Sequence, residues 1–204
     1  MSAKSLTVDY YLGITSPWAY MGHQRLRDIV RQTGAQINLL PVDLGGRIFP
    51  VSGGLPISKR APQRLAYRLV ELKRFSEYLG IDLKPQPKFF PTFSDEAAKL
   101  LIAVDRKDGI EVALDLAAAI MRALWTDDRN IDDAKVLAEL LSTQGLPADR
   151  IDDAHTQAVH EQYEADSQKA IEVGVFGSPT YVIDGELFWG QDRLDFVERR
   201  LRRG

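Results

Sequence analysis

The sequence predicts an α/β protein in which a β-α-β unit and a β-β-α unit flank a long block of helices. The first unit is indicated by a run rich in β-branched and aromatic residues, 6–12, followed by a helix-like stretch and a second strand-like run, 37–42. The second unit is indicated by two short strand-like runs around Asp184-Gly185, a dipeptide typical of hairpin turns. Between the two units, apolar residues recur at helical spacing across 62–173.

The first helix is predicted over residues 17–33. Ser16 is a typical N-cap residue, and proline, which follows it, is well tolerated at the first helical position. Gly34 ends the helix. The strand 37–42 should therefore lie parallel to the first strand, with a right-handed crossover.

The middle of the chain is predicted to be helical after one loop. Residues 43–58 are rich in Gly, Pro and Ser and predict a mobile loop. The apolar spacing and the helix-stop signals then predict helices over 62–79, from 94 to about 108, around 112–124, around 137–141, and as one last long stretch from 147 to about 173.

The C-terminal unit is predicted to contain strands 180–183 and 186–189, joined by the two-residue turn. Asp192 is expected to begin a final helix that runs through Leu201. Trp125 and Trp189 are expected in the core, because large aromatic side chains dominate core burial.

Composition excludes several classes of function. The 204 residues, with a net charge of −3 and mixed signs along the chain, favour one globular unit without affinity for nucleic acid. There is no run of about 20 apolar residues and no secretion signal in residues 1–11, so no membrane contact is expected and the cytoplasm is the expected compartment. The chain has no cysteine, and its three histidines form no metal-binding or triad pattern, so no metal site is predicted.

A proline precedes the third strand, at Ser178-Pro179. Proline at a strand start marks an edge, a turn or a cis bond, and the context favours cis. A β-α-β half, a helical insertion and a proline opening a β-β-α half together resemble the thioredoxin fold of the DsbA type, in which a cis-proline faces the N-terminus of the active-site helix. The resemblance implies a thioredoxin-like domain of residues 1–60 and 174–204, and a helical insertion domain of residues 61–173.

The position of the redox motif in that fold is changed in this chain. Redox members carry Cys-Pro-Trp-Cys or a variant at the helix N-terminus, whereas this chain has Ser16-Pro17-Trp18-Ala19. Disulfide exchange requires a thiolate nucleophile, so the sequence predicts that the protein is not a disulfide oxidoreductase.

Five segments carry a narrower resemblance, to the 2-hydroxychromene-2-carboxylate isomerase family, which is related to kappa-class glutathione transferases. These segments are SPWAY at 16–20, QRL at 24–26, ALW at 123–125, GVFGSPT at 174–180 and FWGQDRL at 188–194. The resemblance covers nearly the whole chain. It implies a glutathione-dependent cis-trans isomerase of aromatic catabolism that interconverts 2-hydroxychromene-2-carboxylate and trans-o-hydroxybenzylidenepyruvate. Kappa-type relatives are commonly dimers, so a homodimer is expected.

The resemblance also implies a glutathione site. Ser16 and the N–H groups of the helix N-terminus would stabilise the glutathione thiolate. The backbone of Ser178, beside Pro179, would pair with the cysteinyl portion. Asp192 would accept from the γ-glutamyl ammonium, and Arg193 would hold a carboxylate.

Four further residues are expected to contact glutathione or the substrate. Arg64 lies where relatives often have lysine, and with Lys59 and Arg60 it would hold the glycyl carboxylate of glutathione or an anionic aromatic substrate. Trp18, close to the helix start, is the expected aromatic contact.

Two departures from the family and several alternatives stay open. Gly13 stands where many relatives have aspartate, and residues 52–55 lack an asparagine that some relatives place on glutathione. A kappa-like glutathione transferase or peroxidase and a non-catalytic glutathione-binding module are alternative functions. Locally, Ser16 and Asp192 are also explained as helix caps, and Arg193 as a solvated surface charge.

Overall fold

The N-terminal and C-terminal units of the chain meet in one four-stranded sheet. In the computed structural model, which describes residues 6–203, the strands are β1 (Thr7–Leu12), β2 (Gln36–Pro41), β3 (Thr180–Ile183) and β4 (Glu186–Trp189). Their order is β2-β1-β3-β4, with β1 and β2 parallel and the other neighbours antiparallel. This confirms the predicted α/β fold with its β-α-β and β-β-α units. Residues 1–5 and 204, which the predicted thioredoxin-like domain includes, lie outside the described residues.

The hairpin between β3 and β4 has the predicted two-residue turn. Asp184 and Gly185 have φ values of 48° and 82°. Positive φ at both central positions matches the right-handed twist of the flanking strands. The turn therefore fixes the register in which Thr180 lies opposite Trp189.

Nine helices and three short helical turns are described in residues 6–203. The helices are α1 (Pro17–Thr33), α2 (Phe49–Ser52), α3 (Pro62–Leu79), α4 (Asp95–Asp108), α5 (Ile110–Trp125), α6 (Ala134–Thr143), α7 (Arg150–Ala154), α8 (Gln157–Glu172) and α9 (Leu194–Arg203). A π-helical turn (Leu44–Ile48) and two 3-10 turns (Ile57–Lys59 and Gln191–Arg193) complete the set. Within this part of the chain, no helix combines the length and the apolar character that a bilayer span requires.

The predicted loop at 43–58 is wrong in part, because the segment contains three short helical elements. Asp43 caps the first of them by accepting a hydrogen bond from the Gly46 amide at 2.7 Å. Ile48, at its end, is fully buried in an apolar cluster beneath the sheet. The cap and this buried anchor hold the chain in a regular turn where composition alone indicated irregular structure.

Two helix boundaries also differ from the prediction. The stretch expected to be continuous from 147 to 173 is two helices, because Thr156, at the N-cap position of α8, is extended, with ψ of 148°, and interrupts the helical backbone. The last helix begins at Leu194 rather than at Asp192. The Arg193 amide bonds to the Gly190 carbonyl at 3.1 Å, the i to i+3 spacing of a 3-10 turn, so Asp192 lies in a tight turn before the helix.

Apolar side chains cover both faces of the sheet. Along β1, Val8, Tyr10 and Leu12 belong to the larger core cluster, whereas Tyr11 belongs to a smaller cluster that includes Ala170 of α8. This alternation is the period of two expected for a central strand. The larger cluster contains residues of both the sheet and the helical block, and the division of the chain at residues 60 and 173 stays a prediction.

Polar contacts fix helix α1 against helix α5. His23 is buried, and its Nε2 lies 2.9 Å from the Leu114 carbonyl oxygen. One turn further along α1, Arg27 donates to Asp115 at 2.6 Å and to Glu111 at 3.0 Å. These contacts set the position of α1, and therefore of the serine at its N-terminus.

Candidate functional site

Ser16 occupies the N-cap position of α1 and is buried. Its backbone is extended, with φ −78° and ψ 121°, and its hydroxyl accepts a hydrogen bond from the Ala19 amide at 3.2 Å. Pro17 takes the first helical position, as predicted. The local cap interpretation is therefore correct, and it also presents the hydroxyl at the positive end of the helix dipole.

The proline loop that precedes β3 contacts this helix end. The Ser178–Pro179 peptide bond is cis, as the sequence favoured. The Ser16 hydroxyl donates a hydrogen bond to the Ser178 carbonyl oxygen at 2.8 Å. Two predicted site segments, 162 residues apart, thus meet through their polar groups. The single hydroxyl proton of Ser16 is therefore donated to the Ser178 carbonyl oxygen in this structure.

The packing around Ser178 leaves little room for a side chain at position 13. The Gly13 amide donates to the Ser178 hydroxyl at 2.7 Å. A Cβ atom on Gly13 would lie 2.3 Å from Leu44 Cδ1 and 3.2 Å from Ser178 Cβ. Because both distances are shorter than ordinary van der Waals contact, an aspartate at this position would require the Leu44 side chain to move.

An aromatic pair borders the proline loop, and one of its members was wrongly expected in the core. Trp189 is 50% exposed and packs edge-on against Phe176, which is 41% exposed, with 4.8 Å between ring centres. Trp189 is the last residue of β4, an edge strand that has a neighbouring strand on one side only. A Cβ on Gly177 would lie 2.4 Å from Trp189 Nε1, so the indole rests directly on the loop backbone. Trp125, by contrast, is fully buried as expected.

Asp192 and Arg193 form an ion pair with each other. The Arg193 guanidinium lies 3.1 Å from the Asp192 carboxylate, and both side chains are exposed. An exposed pair of this kind contributes little to stability and exchanges partners readily. The contact uses one carboxylate oxygen and one guanidinium nitrogen, so both side chains keep groups available for a ligand, and their expected roles toward glutathione stay predictions.

The predicted basic residues lie at and before the start of α3. Lys59 and Arg64 are exposed, whereas Arg60 is half-buried and donates from Nε to the Leu55 carbonyl at 2.8 Å. Burial lowers the pKa of the Arg60 guanidinium, and the nearby charge of Arg64 lowers it further. Among the described residues, no hydrogen bond or ion pair joins this group to Ser16, so its ligand contacts stay predictions.

Trp18 joins α1 to α3. Its ring meets Phe75 of α3 edge-on, with 5.9 Å between ring centres, and is only partly buried. Arg68, which lies on α3 one turn after Arg64, was not predicted as a site residue. The four-residue spacing of Arg64 and Arg68 is the pattern that would have indicated it, because residues four apart share one face of a helix.

The topology and the site define a class of protein. A β2-β1-β3-β4 sheet, a helix N-terminus and a cis-proline loop that meets it make this a thioredoxin-like protein. The chain belongs to the DSBA-like thioredoxin domain family, whose model matches residues 7–202.

The similar proteins are of nearly the same length as this chain. It is 26% identical to a 2-hydroxychromene-2-carboxylate isomerase of Sphingobium xenophagum over 196 residues, which is 96% of this chain and 97% of that protein. It is 27% identical to a Pseudomonas putida protein of the same name over 97% of this chain and 95% of that protein. A solved structure of 2-hydroxychromene-2-carboxylate isomerase superposes with a TM-score of 0.83 at 25% identity, covering 97% of this chain and 95% of that one.

Proposed function

We propose that this protein is a glutathione-dependent isomerase that interconverts 2-hydroxychromene-2-carboxylate and trans-o-hydroxybenzylidenepyruvate. The observation that carries the proposal is the position of the Ser16 hydroxyl, which lies at the N-terminus of α1 and 2.8 Å from the Ser178 carbonyl oxygen. The chain itself has no cysteine. The relatives that bear the isomerase name align over nearly their whole length, which supports this substrate.

The nucleophile in this proposal is the thiolate of glutathione. A thiolate is stabilised by hydrogen-bond donors and by the positive end of a helix, which lower the pKa of the thiol. The amide groups at the start of α1 and the Ser16 hydroxyl are suitable donors. For Ser16 to donate to sulfur, its hydroxyl must turn away from the Ser178 carbonyl, which leaves that carbonyl free to accept from the cysteinyl N–H of glutathione.

Addition of the thiolate explains how the alkene can rotate. The hemiketal ring of 2-hydroxychromene-2-carboxylate first opens: the ring C–O bond breaks, the carbon that carries the hydroxyl becomes the ketone, and the hydroxyl proton passes to the phenol oxygen. Rotation about the C=C bond of this open form has a prohibitive barrier, but a carbon–sulfur bond formed at the conjugated carbon converts the former double bond into a single bond. Its electron pair moves into the conjugated carbonyl as an enolate. After rotation, return of that electron pair expels the thiolate and restores the alkene, so glutathione is regenerated. Covalent catalysis of this kind splits one difficult step into accessible ones.

The remaining site residues would hold the ends of glutathione. Asp192 would accept from the γ-glutamyl ammonium, and Arg193 would donate to the adjacent carboxylate. The glycyl carboxylate has Lys59 and Arg64 as cationic partners. With no thiol in the chain, we expect no reduction of insulin disulfides by the purified protein.

The test is conversion of 2-hydroxychromene-2-carboxylate followed by ultraviolet spectroscopy, with and without glutathione. We expect a spectral change only when glutathione is present. Ser16→Ala should lower kcat by about a hundredfold, the typical effect of removing one donor to a developing or resident anion. It should still be retained on glutathione-Sepharose, because the other contacts remain.

The matched control is Ser142→Ala, an exposed serine on α6. Its turnover should equal that of the unmodified protein. Absence of conversion by the unmodified protein, together with retention on the resin, would replace the isomerase proposal by a glutathione transferase acting on another electrophile. If the unmodified protein shows neither conversion of the substrate nor retention on the resin, the proposed glutathione site is rejected.

A further inference from the structure

Gln191 is a buried polar residue in the turn that carries Asp192 and Arg193. It is 3% exposed, whereas the side chains of Asp192 and Arg193 are exposed. The turn spans Gln191–Arg193 and connects strand β4 to helix α9. A residue whose side chain points inward thus directly precedes the two residues that are expected to contact glutathione.

The backbone of this turn is held to the proline loop. Gly190, which precedes the turn, donates from its amide to the Pro179 carbonyl oxygen at 2.9 Å. Its φ of 101° is a value that residues other than glycine rarely adopt. The turn is therefore connected to the same loop whose Ser178 carbonyl accepts from Ser16.

The side chain of Gln191 holds the turn to helix α1, at Gly22. A Cβ on Gly22 would lie 2.8 Å from Gln191 Cβ and 3.4 Å from Gln191 Cα. Because glycine has no Cβ, the turn comes closer to α1 here than a larger residue would allow. Gly22 lies less than two turns after Ser16, so the contact fixes the turn relative to the helix N-terminus.

The contact between Gln191 and Gly22 depends on shape. Gln191 Nε2 is inaccessible to solvent and has no hydrogen-bond partner within residues 6–203. The Tyr181 hydroxyl, which a Cβ on Gly22 would approach to 3.1 Å, is buried and unpaired among these residues as well. An unpaired buried donor is costly, and departures of this kind from ordinary design are expected at functional sites. The amide nitrogen forms no bond that holds the turn, so the length and packing of the side chain hold it.

We propose that Gln191 is a positioning residue that makes the site selective for thiols with a γ-glutamyl group. This inference rests on the proposed function, in which Asp192 and Arg193 contact the ammonium and carboxylate of that group. Packed on Gly22, Gln191 holds these two residues at a fixed distance from Ser16, which contacts the sulfur in the same proposal. Groups that are held in place before binding lose less conformational freedom when the ligand binds. Without Gln191, the γ-glutamyl contacts should weaken while the contacts to the remainder of the tripeptide persist.

The experiment compares glutathione with N-acetylcysteinylglycine, which keeps the cysteinyl amide, the thiol and the glycyl carboxylate but lacks the γ-glutamyl group. Isothermal titration calorimetry measures the affinity of the full chain for each reduced thiol. We expect the unmodified protein to prefer glutathione by about tenfold or more, the effect of one charge-assisted hydrogen bond. Gln191→Ala should lose most of this preference, while its affinity for N-acetylcysteinylglycine stays unchanged. A general loss of structure would instead weaken the binding of both thiols.

Two further variants test whether packing is the cause. Gln191→Met keeps the length of the side chain without its amide, so it should retain the preference for glutathione. Gly22→Ala adds a methyl group that displaces the turn, so it should lose the preference even though alanine favours a helix. The matched control, Gln24→Ala, removes an exposed glutamine of α1 and should keep the full preference. Thermal unfolding verifies that each variant is folded, and Gly22→Ala carries the comparison if Gln191→Ala is not.

The outcomes separate failure of this inference from failure of the proposed function. No preference in the unmodified protein, an unchanged preference in Gln191→Ala, or equal losses for both thiols would overturn the role of Gln191. The same loss in Gln191→Met as in Gln191→Ala would overturn it as well. None of these results affects the isomerase proposal if the unmodified protein converts 2-hydroxychromene-2-carboxylate.

The isomerase assay supplies the converse result. In that assay, Gln191→Ala should raise the KM for glutathione with little change in kcat. No conversion by the unmodified protein, with the Gln191-dependent preference preserved, would reject the isomerase and retain the γ-glutamyl role. No binding of glutathione by the unmodified protein would reject both.

Discussion

The hydroxyl of Ser16 and the backbone carbonyl of Ser178 are joined by a hydrogen bond of 2.8 Å. Both residues are buried, so each group would incur a desolvation cost if left alone. Glutathione binding, as proposed, exchanges this bond for two others, with the hydroxyl donating to sulfur and the carbonyl accepting from the peptide. The hydrogen bond between Ser16 and Ser178 therefore satisfies both polar groups before glutathione binds. On binding, the two hydrogen bonds to glutathione would replace it.

Ser16→Ala should destabilise the protein as well as slow the proposed reaction. The variant loses the cap bond to the Ala19 amide and the bond to the Ser178 carbonyl. We expect the free energy of unfolding to fall by about 1–2 kcal/mol, measured by urea denaturation at pH 7. Ser142→Ala, at an exposed serine, should change it by less than about 0.5 kcal/mol. Equal stability of Ser16→Ala and the unmodified protein would show that the two bonds contribute nothing net.

Gly13→Ala should destabilise the loop that carries Ser178. The new methyl group would meet the Leu44 side chain, and overpacking of this kind costs about 1–3 kcal/mol. Adding Leu44→Ala should recover part of the loss, which urea denaturation of the single and double variants measures. Gly45→Ala is the control, since the nearest atom to its Cβ would be 4.0 Å away. A Gly13→Ala protein as stable as its parent would contradict the packing argument.

The strands, the hairpin and the first helix could be predicted because their determinants are local. The β-branched and aromatic residues of 6–12, a turn dipeptide with positive φ, and a serine before a proline each act within a few residues. The break between α7 and α8 was missed although it is also local. The conformation of Thr156 begins a new helix there, but apolar spacing continues across it and hides the break.

The parts of the site that were missed depend on contacts between distant segments. The exposure of Trp189 follows from the position of β4 at the sheet edge, which the residues of β4 alone do not specify. The rings around Arg68 come from Phe90 and Trp125, 22 and 57 residues further along the chain. The need for Gly13 likewise arises only when Leu44 packs against it. A sequence pattern indicates which face of a helix or strand is buried, but it does not indicate which other segment packs against that face.

His23→Gln should remove an acid-dependent loss of stability. His23 is 2% exposed, and burial lowers its pKa to about 4, from 6.5 in an unfolded chain. Between these values the unfolded state binds a proton that the folded state excludes, so stability falls as pH decreases from 6.5 to 4. The full effect is about 3 kcal/mol.

The measurement for His23 is the free energy of unfolding at a series of pH values. We expect His23→Gln to be less stable than the unmodified protein at pH 7, because the contact with the Leu114 carbonyl is altered. The difference should shrink or reverse toward pH 4. His160→Gln, at an exposed histidine on α8, controls for loss of an imidazole from the surface. Parallel curves for His23→Gln and the unmodified protein would contradict the prediction.

Asp166→Asn should stabilise the protein at neutral pH. Asp166 is 5% exposed on α8 and accepts from Gln162 at 2.8 Å. Burial raises its pKa to about 6; Gln162 and Lys169 oppose the shift, while Asp9 and Asp105 add to it. The folded state therefore holds a proton between pH 3.8 and 6 that the unfolded state has released. Stability consequently decreases as pH rises through this window, and an uncharged asparagine avoids the loss.

The expected gain for Asp166→Asn is about 1–2 kcal/mol at pH 7, less than the full pKa shift implies because the amide NH₂ that replaces the carboxylate must itself be accommodated in a buried site, and it should vanish near pH 4. Urea denaturation at both pH values measures it, with Asp152→Asn, at an exposed aspartate of α7, as control. Because His23 and Asp166 act in opposite directions between pH 4 and 6, their contributions to the stability of the unmodified protein partly offset each other there. Relative to the unmodified protein, the stability of His23→Gln should then fall toward higher pH, and that of Asp166→Asn should rise. An Asp166→Asn protein less stable than its parent at pH 7 would show that the buried carboxylate is compensated by its cationic and amide partners.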